Sequence, residues 1–134
     1  MMVTDRVGDF IIRLQNAARI GKQEVSAPYS AHLAAIAKKL KELGFLTAVT
    51  VEEKEGGVQK KVVVTLSYNE HGVATLRGVK RISKPGRRLY APAAAAHRVK
   101  GGTGARIISS PAGIISDAEA RKRKVGGEEL FEIW

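Results

Sequence analysis

Three features of this chain have residue types and spacing that could do chemistry: a hydroxyl-rich turn, a cluster of cations about a Pro-Gly pair, and a glutamate that follows two glycines. Ser109 and Ser110 precede Pro111 and Gly113 in "IISSPAGIIS". A serine hydroxyl both donates and accepts, so this turn can read a base edge or a ribose 2′-hydroxyl, or simply close on itself. Lys80, Arg81, Lys84, Arg87 and Arg88 surround Pro85-Gly86 in "VKRISKPGRRLY", which puts cations on a tight hairpin suited to backbone phosphates. Such contacts give salt-dependent affinity and carry little sequence information. Glu128, in "VGGEELFEIW", does not fit a row of phosphates, because phosphate repels a carboxylate while base amino and imino groups donate to one. Spacing leaves two roles for Glu128, a selector of bases or a solvated side chain at a glycine turn. As a selector it would use Gly126 and Gly127 for close approach to nucleic acid or for positive φ. Tyr90 can stack on a base or ribose or can end a core edge, and Trp134 has the same two readings.

Catalysis has little to build on. His32, His71 and His97 match no metal-ligand spacing and read as surface residues. Neither Ser109 nor Ser110 sits in the strand–G-x-S-x-G–helix setting of a nucleophile. "GGTG" at 101–104 lacks the Lys-Ser/Thr ending of a nucleotide loop. With no cysteine there are no disulfides and no thiolate ligands, which suits a reducing compartment. The expectation is a protein that is not an enzyme and takes no cofactor and no metal.

Charge placement narrows the partner. The net charge is +10, and residues 71–116 hold nine basic side chains and no acidic one. Residues 1–70 hold ten against eight, and residues 117–134 four against five. A surface that needed only solubility would mix its signs, so the polyanion-binding surface is expected in the one-signed segment.

The elements that must position these residues follow from periodicity. After Thr4 as N-cap, Val7, Phe10, Ile11, Leu14 and Ala18 form one helical stripe ending near Gly21, with Asp5 and Asp9 in the first turns and Asp9 four residues before Arg13. "KQEVSA" reads as a short strand. Pro28 and Ser30 open a second helix with a stripe of Leu33, Ile36, Ala37, Leu40 and Leu43 and a cap at Gly44. "LTAVTV" and "VQKKVVVTL" make a hairpin around "EEKEGG". An N-terminal lobe of helices on a short sheet is thus expected over 1–66, a linker "SYNEHG" over 67–72, and a mostly β lobe with a short helix over 73–134. The strands of that second lobe are "VATLRGVKRI", "RRLYA", "ARIIS", "GIIS" and "EELFEIW", Ser116 caps the helix "DAEARKRK", and "APAAAAHRVKGGTG" is a loop with a short helix. The fold class is α+β with two small lobes. No apolar run approaches the roughly 20 residues of a spanning helix, and "MMVTDRVGDFIIRLQNA" is unlike a signal peptide, so a cytoplasmic protein with no membrane partner is expected.

Four blocks, "DRVGDFIIRLQNA", "VKRISKPGRRLY", "IISSPAGIISDAEAR" and "VGGE", in this order and spacing, resemble the family of bacterial small-subunit ribosomal protein eight along nearly the whole chain. The resemblance implies a two-lobed α+β protein of the ribosome that is not an enzyme. Its implied partner is the central domain of small-subunit ribosomal RNA, bound early in assembly at an internal-loop region of a helix. It further implies RNA contacts at Ser109, Ser110, Pro111, Gly113, Gly127, Glu128 and Tyr90, with Lys84, Arg87 and Arg88 on the basic hairpin. Arg13, Asn16 and Ser30 are the implied contacts of the N-terminal lobe. Neighbouring small-subunit ribosomal proteins are implied partners, and so is the messenger RNA of its own operon, since some members repress that operon. This chain departs from the family pattern at Ser110, where threonine is usual, at Ala112, where lysine is frequent, and at Lys22 and "APYSAH", which are less basic. The competing reading is a basic DNA-binding architectural or regulatory protein, which would show little preference for RNA.

Overall fold

A computed structural model describes residues 6–53, 60–92 and 104–134. The expected cap at Thr4, the turn after Glu53 and most of the alanine-rich stretch lie outside the described residues. The fold is mixed α+β, with three helices and two antiparallel sheets among the described residues. Two compact units divide the chain, one of Asp9–Arg77 and one that includes Gly78–Trp134.

In the first unit, β1 (Glu24–Pro28), β2 (Leu46–Glu53) and β3 (Lys60–Leu66) form a sheet of order β1-β3-β2. β3 is central because its run of β-branched residues can pair on both edges. Its Val62, Val64 and Leu66 are buried, in period-two alternation with residues that are not. The core that this face completes is filled from α1 (Arg6–Ile20) by Phe10, Ile11, Leu14 and Ala17, and from α2 (Ala31–Glu42) by Leu33, Ile36, Ala37 and Leu40. Burying each large side chain stabilises the fold by about 1.5–3 kcal/mol. Two stripe positions differ from expectation. Ala17 is buried where Ala18 was expected, since the stripe runs through Phe10, Leu14 and Ala17 at spacings of four and three. Leu43 is the C-cap of α2 and lies at the surface, because the chain leaves the helix there through a Schellman motif in which Gly44 N–H donates to Lys41 and Phe45 N–H to Leu40.

The segment after β3 stays bonded to this unit. Asn69 Oδ1 accepts from the amides of His71 and Val73, Ser67 N–H donates to Phe45, and Thr75 N–H donates to Ser67. With Val73 and Thr75 engaged in this way, the strand expected from Val73 begins only at Val79.

In the second unit, β4 (Val79–Arg81), β5 (Tyr90–Ala91), β6 (Ala105–Ser110), β7 (Gly113–Ser116) and β8 (Gly127–Ile133) form one sheet of order β4-β8-β6-β7, with β5 also paired to β8. β8 takes the centre, paired with β4, β5 and β6, and buries Leu130, Phe131 and Ile133 among its three glutamates. α3 (Asp117–Arg123) joins Ile108 and Ile115 through Ala120, with Val125 packed against the cluster. A capping box starts α3, with Ser116 Oγ accepting from Glu119 N–H and the Glu119 carboxylate accepting from Ser116 N–H. Trp134 resolves as structural: it exchanges backbone hydrogen bonds with Gly78, and a Cβ on Gly78 would stand 2.7 Å from its ring.

Candidate nucleic-acid interface

The register of β8 assembles the site. Glu128 lies opposite Tyr90 of β5 on one side and opposite Ser109 of β6 on the other, and Ser109 in turn faces Ile114 of β7. Residues paired across an antiparallel sheet share a face, so Tyr90, Glu128 and Ser109 make one row although the chain separates them by up to 38 positions. Tyr90 is 70% exposed, which removes the core-edge reading and leaves its ring available for stacking. Gly127 is what lets the row close up, because a Cβ there would collide with the backbone of Ser109 and Ser110. Neither Gly126 nor Gly127 has positive φ, and the left-handed residue of this corner is Lys124 at the C-cap of α3. The close approach that Gly127 permits is therefore to the protein's own hydroxyl turn.

The two hydroxyls of that turn differ. Ser110 Oγ donates to the Gly113 carbonyl at 2.9 Å and accepts from Ala112 N–H at 3.1 Å, which fixes the two-residue turn Pro111-Ala112. Gly113 has φ of +107°, a conformation side chains rarely adopt, so glycine is required there. Ser109 has no hydrogen-bond partner for its hydroxyl among the described residues, and its side chain shares the face of Glu128. Sequence could not rank the two serines, because only the register shows which one faces the row.

The basic hairpin has the expected tight turn. Lys84 and Arg87 exchange backbone hydrogen bonds of 2.9 Å across Pro85-Gly86, and Gly86 takes φ of +84°, the position after proline in a type II turn. Lys84 and Arg87 are exposed, and neither side chain is ion-paired among the described residues. Arg88 is turned elsewhere: its Nη1 donates to Glu128 Oε2 at 3.0 Å. That bond leaves the Glu128 side chain 14% exposed and Arg88 56% exposed, so Glu128 is not the solvated residue that spacing alone allowed. The hairpin base is pinned by buried Ser83, whose Oγ accepts from Leu89 N–H and donates to the Leu89 carbonyl, while that carbonyl also accepts from Glu129 N–H.

One member of the basic segment is withdrawn from the surface. Arg106 donates through Nη1 to Glu129 and through Nη2 to Glu132 on the other face of the sheet. A β-bulge between the pairs Ile107–Phe131 and Ile108–Glu129 puts Glu129 and Glu132, three residues apart, on the same face as Arg106. Burial is the largest influence on the guanidinium and pulls its pKa down, but the hydrogen bonds and charges of the two glutamates outweigh it and hold it above the ordinary value. By charge alone Arg106 was one of the nine basic residues of 71–116, and nothing local in the sequence marks the bulge that engages it within the sheet.

The candidate residues of the other unit form a separate place. Arg13 pairs with Asp9 at 3.0 Å and donates to the Ser26 carbonyl at 2.9 Å. With Tyr29, Lys60 and Lys61 it lines a groove of about 480 Å³, and with Asn16 and Lys22 another of about 320 Å³. Ser30 is committed to capping α2, its Oγ accepting from Leu33 N–H at 3.0 Å. Among the described residues no cluster of metal-ligating side chains is present, and no helix is long and apolar enough to cross a membrane. His32 and His71 are exposed, and His97 lies outside the described residues.

Comparison with known proteins extends these observations. A family profile described as "Ribosomal protein S8" matches residues 5–134. The chain is 44% identical over 135 residues to "Small ribosomal subunit protein uS8" of Salinispora arenicola, covering all of both chains. It is 42% identical to the protein of that name from Cutibacterium acnes and 40% identical to that from a Nocardioides species, each over 135 residues and the full length of both chains.

Proposed function

Because this chain belongs to the ribosomal protein S8 family, and is with it a structural constituent of the small ribosomal subunit rather than an enzyme, we propose that it binds the central domain of small-subunit ribosomal RNA and helps that domain assemble. The observation that carries this reading is the row Tyr90–Glu128–Ser109 beside the exposed cations Lys84 and Arg87. The row offers a ring for stacking, a carboxylate that accepts from base amino groups, and a hydroxyl that both donates and accepts. These suit splayed bases of an internal loop better than a regular duplex, whose bases stay stacked. Lys84 and Arg87 supply the sequence-blind phosphate contacts that fix register. Ser110, Pro111, Gly113 and Gly127 act by shaping the row, and Arg13 and Asn16 offer a second, weaker RNA contact from the N-terminal lobe.

A messenger RNA that presented the same irregular loop would bind the same row, so repression of its own operon is this reading applied to a second RNA. The rival, a DNA-compacting protein, would need to cover many phosphates without a hydroxyl reader. Binding of the wild type and Glu128→Ala to a central-domain rRNA helix, a scrambled RNA duplex and a DNA duplex at two salt concentrations decides between them. The expected result is preference for the rRNA helix by the wild type and loss of that preference in Glu128→Ala. Equal affinity for all three nucleic acids, falling together with salt, would leave only a general polyanion binder.

A further inference from the structure

A carboxylate in an interface otherwise built for phosphate needs an explanation, and Arg88 supplies it. The guanidinium sits 3.0 Å from Glu128 Oε2 and occupies one of the two carboxylate oxygens, while Oε1 has no bonded partner among the described residues and can accept from a ligand. The bond fixes the carboxylate in a partly buried position where a free glutamate would rotate. The placement of Arg88 is built into the hairpin. Buried Ser83 holds Leu89 by two hydrogen bonds, Glu129 N–H is bonded to the Leu89 carbonyl, and Tyr90 is in register with Glu128, so Arg88 leaves the chain beside the carboxylate it serves.

We propose that Arg88 is a positioning residue for RNA discrimination, acting through Glu128, and not a phosphate anchor like Lys84 and Arg87. This rests on the RNA-binding reading above and deepens it. Losing Arg88 would leave the correct RNA facing an uncompensated, mobile carboxylate, whereas an RNA held only by its phosphates on Lys84 and Arg87 would be little affected. The two roles differ in what they predict. A phosphate anchor weakens every RNA alike and takes roughly 0.7–0.9 from the slope of log affinity against log salt. A positioning residue lowers the preference for the correct RNA and leaves the slope unchanged.

The test measures affinities of wild type, Arg88→Ala, Glu128→Ala, the double variant, Arg88→Lys and Arg87→Ala for the central-domain rRNA helix and a scrambled duplex at two salt concentrations, with a thermal melt for each protein. Arg88→Ala is expected to cut the preference by about tenfold or more, the size of losing a base-reading contact. The double variant should be no worse than Glu128→Ala, and Arg88→Lys should recover part of the preference. Arg88→Gln repeats the comparison if Arg88→Ala lowers the melting temperature. If Arg88→Ala instead weakens both RNAs in the same ratio, lowers the salt slope as Arg87→Ala does, and multiplies with Glu128→Ala, then Arg88 is a phosphate anchor and the proposal falls while the RNA-binding reading stands. A wild type without preference for the rRNA helix overturns both.

Discussion

Strand β8 carries three carboxylates, and the two faces of the sheet use them differently. On one face Glu129 and Glu132 converge on Arg106, and all three side chains are at most 18% exposed. On the other, Glu128 meets Arg88, which stays mostly in solvent beside an exposed tyrosine and a serine hydroxyl with no partner among the described residues. The partners are the same chemical types, so burial and saturation separate the roles. A guanidinium held by two carboxylates under the sheet has its charge consumed by the fold, and its worth shows only when it is removed. A half-exposed pair adds little stability, which leaves its spare acceptor and its charge available for recognition.

Substitutions can break this contrast, and the largest effect is expected at the buried site. Arg106→Met leaves Glu129 and Glu132 facing each other without a cation and should destabilise the protein by about 3–5 kcal/mol in denaturant unfolding. RNA affinity of the remaining folded protein should be unchanged, and a stability loss under about 1 kcal/mol would show that the triad is not structural. Gly127→Ala comes next. Its Cβ collides with the Ser109–Ser110 backbone, so it should cost about 1–3 kcal/mol of stability and displace the row, weakening the correct RNA as well. Retained affinity for that RNA would mean that the row's spacing does not matter.

The neighbouring serines sharpen the comparison at smaller cost. Ser110→Ala removes two turn hydrogen bonds and should lose about 1 kcal/mol in thermal unfolding. Ser109→Ala should leave the melting temperature within experimental error while weakening the correct RNA, and the opposite order of effects would reverse the assigned roles. Arg87→Ala is expected to have the smallest structural effect, with no change in melting. It should show instead a uniform loss for all RNAs and a salt slope lower by roughly 0.7–0.9.

Much of this was legible along the chain. The stripes of α1 and α2 follow from the 3.6-residue period and missed only at Ala17 and Leu43, where the phase of the stripe and the cap decide burial. The cap at Ser116, the turn at Pro85-Gly86 and the strand that closes the chain are local patterns and were readable as such. The strand expected from Val73 was shorter because hydrogen bonds from Ser67 and Asn69, earlier in the chain, engage it first. The site residues were nameable by type, and the family resemblance placed them together, but their division of labour was not visible. Whether Ser109 or Ser110 closes the turn, whether Arg88 faces solvent or Glu128, and whether Arg106 is a surface cation all depend on partners 3 to 40 residues away.

The sequence by itself determined the two-lobed α+β class, the absence of catalytic spacing and the concentration of positive charge in residues 71–116, because composition and short-range periodicity decide those. Only the tertiary structure decided which charges reach solvent and which serine hydroxyl closes the turn. Cross-strand register and a single bulge in β8 set the face of every side chain on that strand, and a shift of one residue would exchange the two faces.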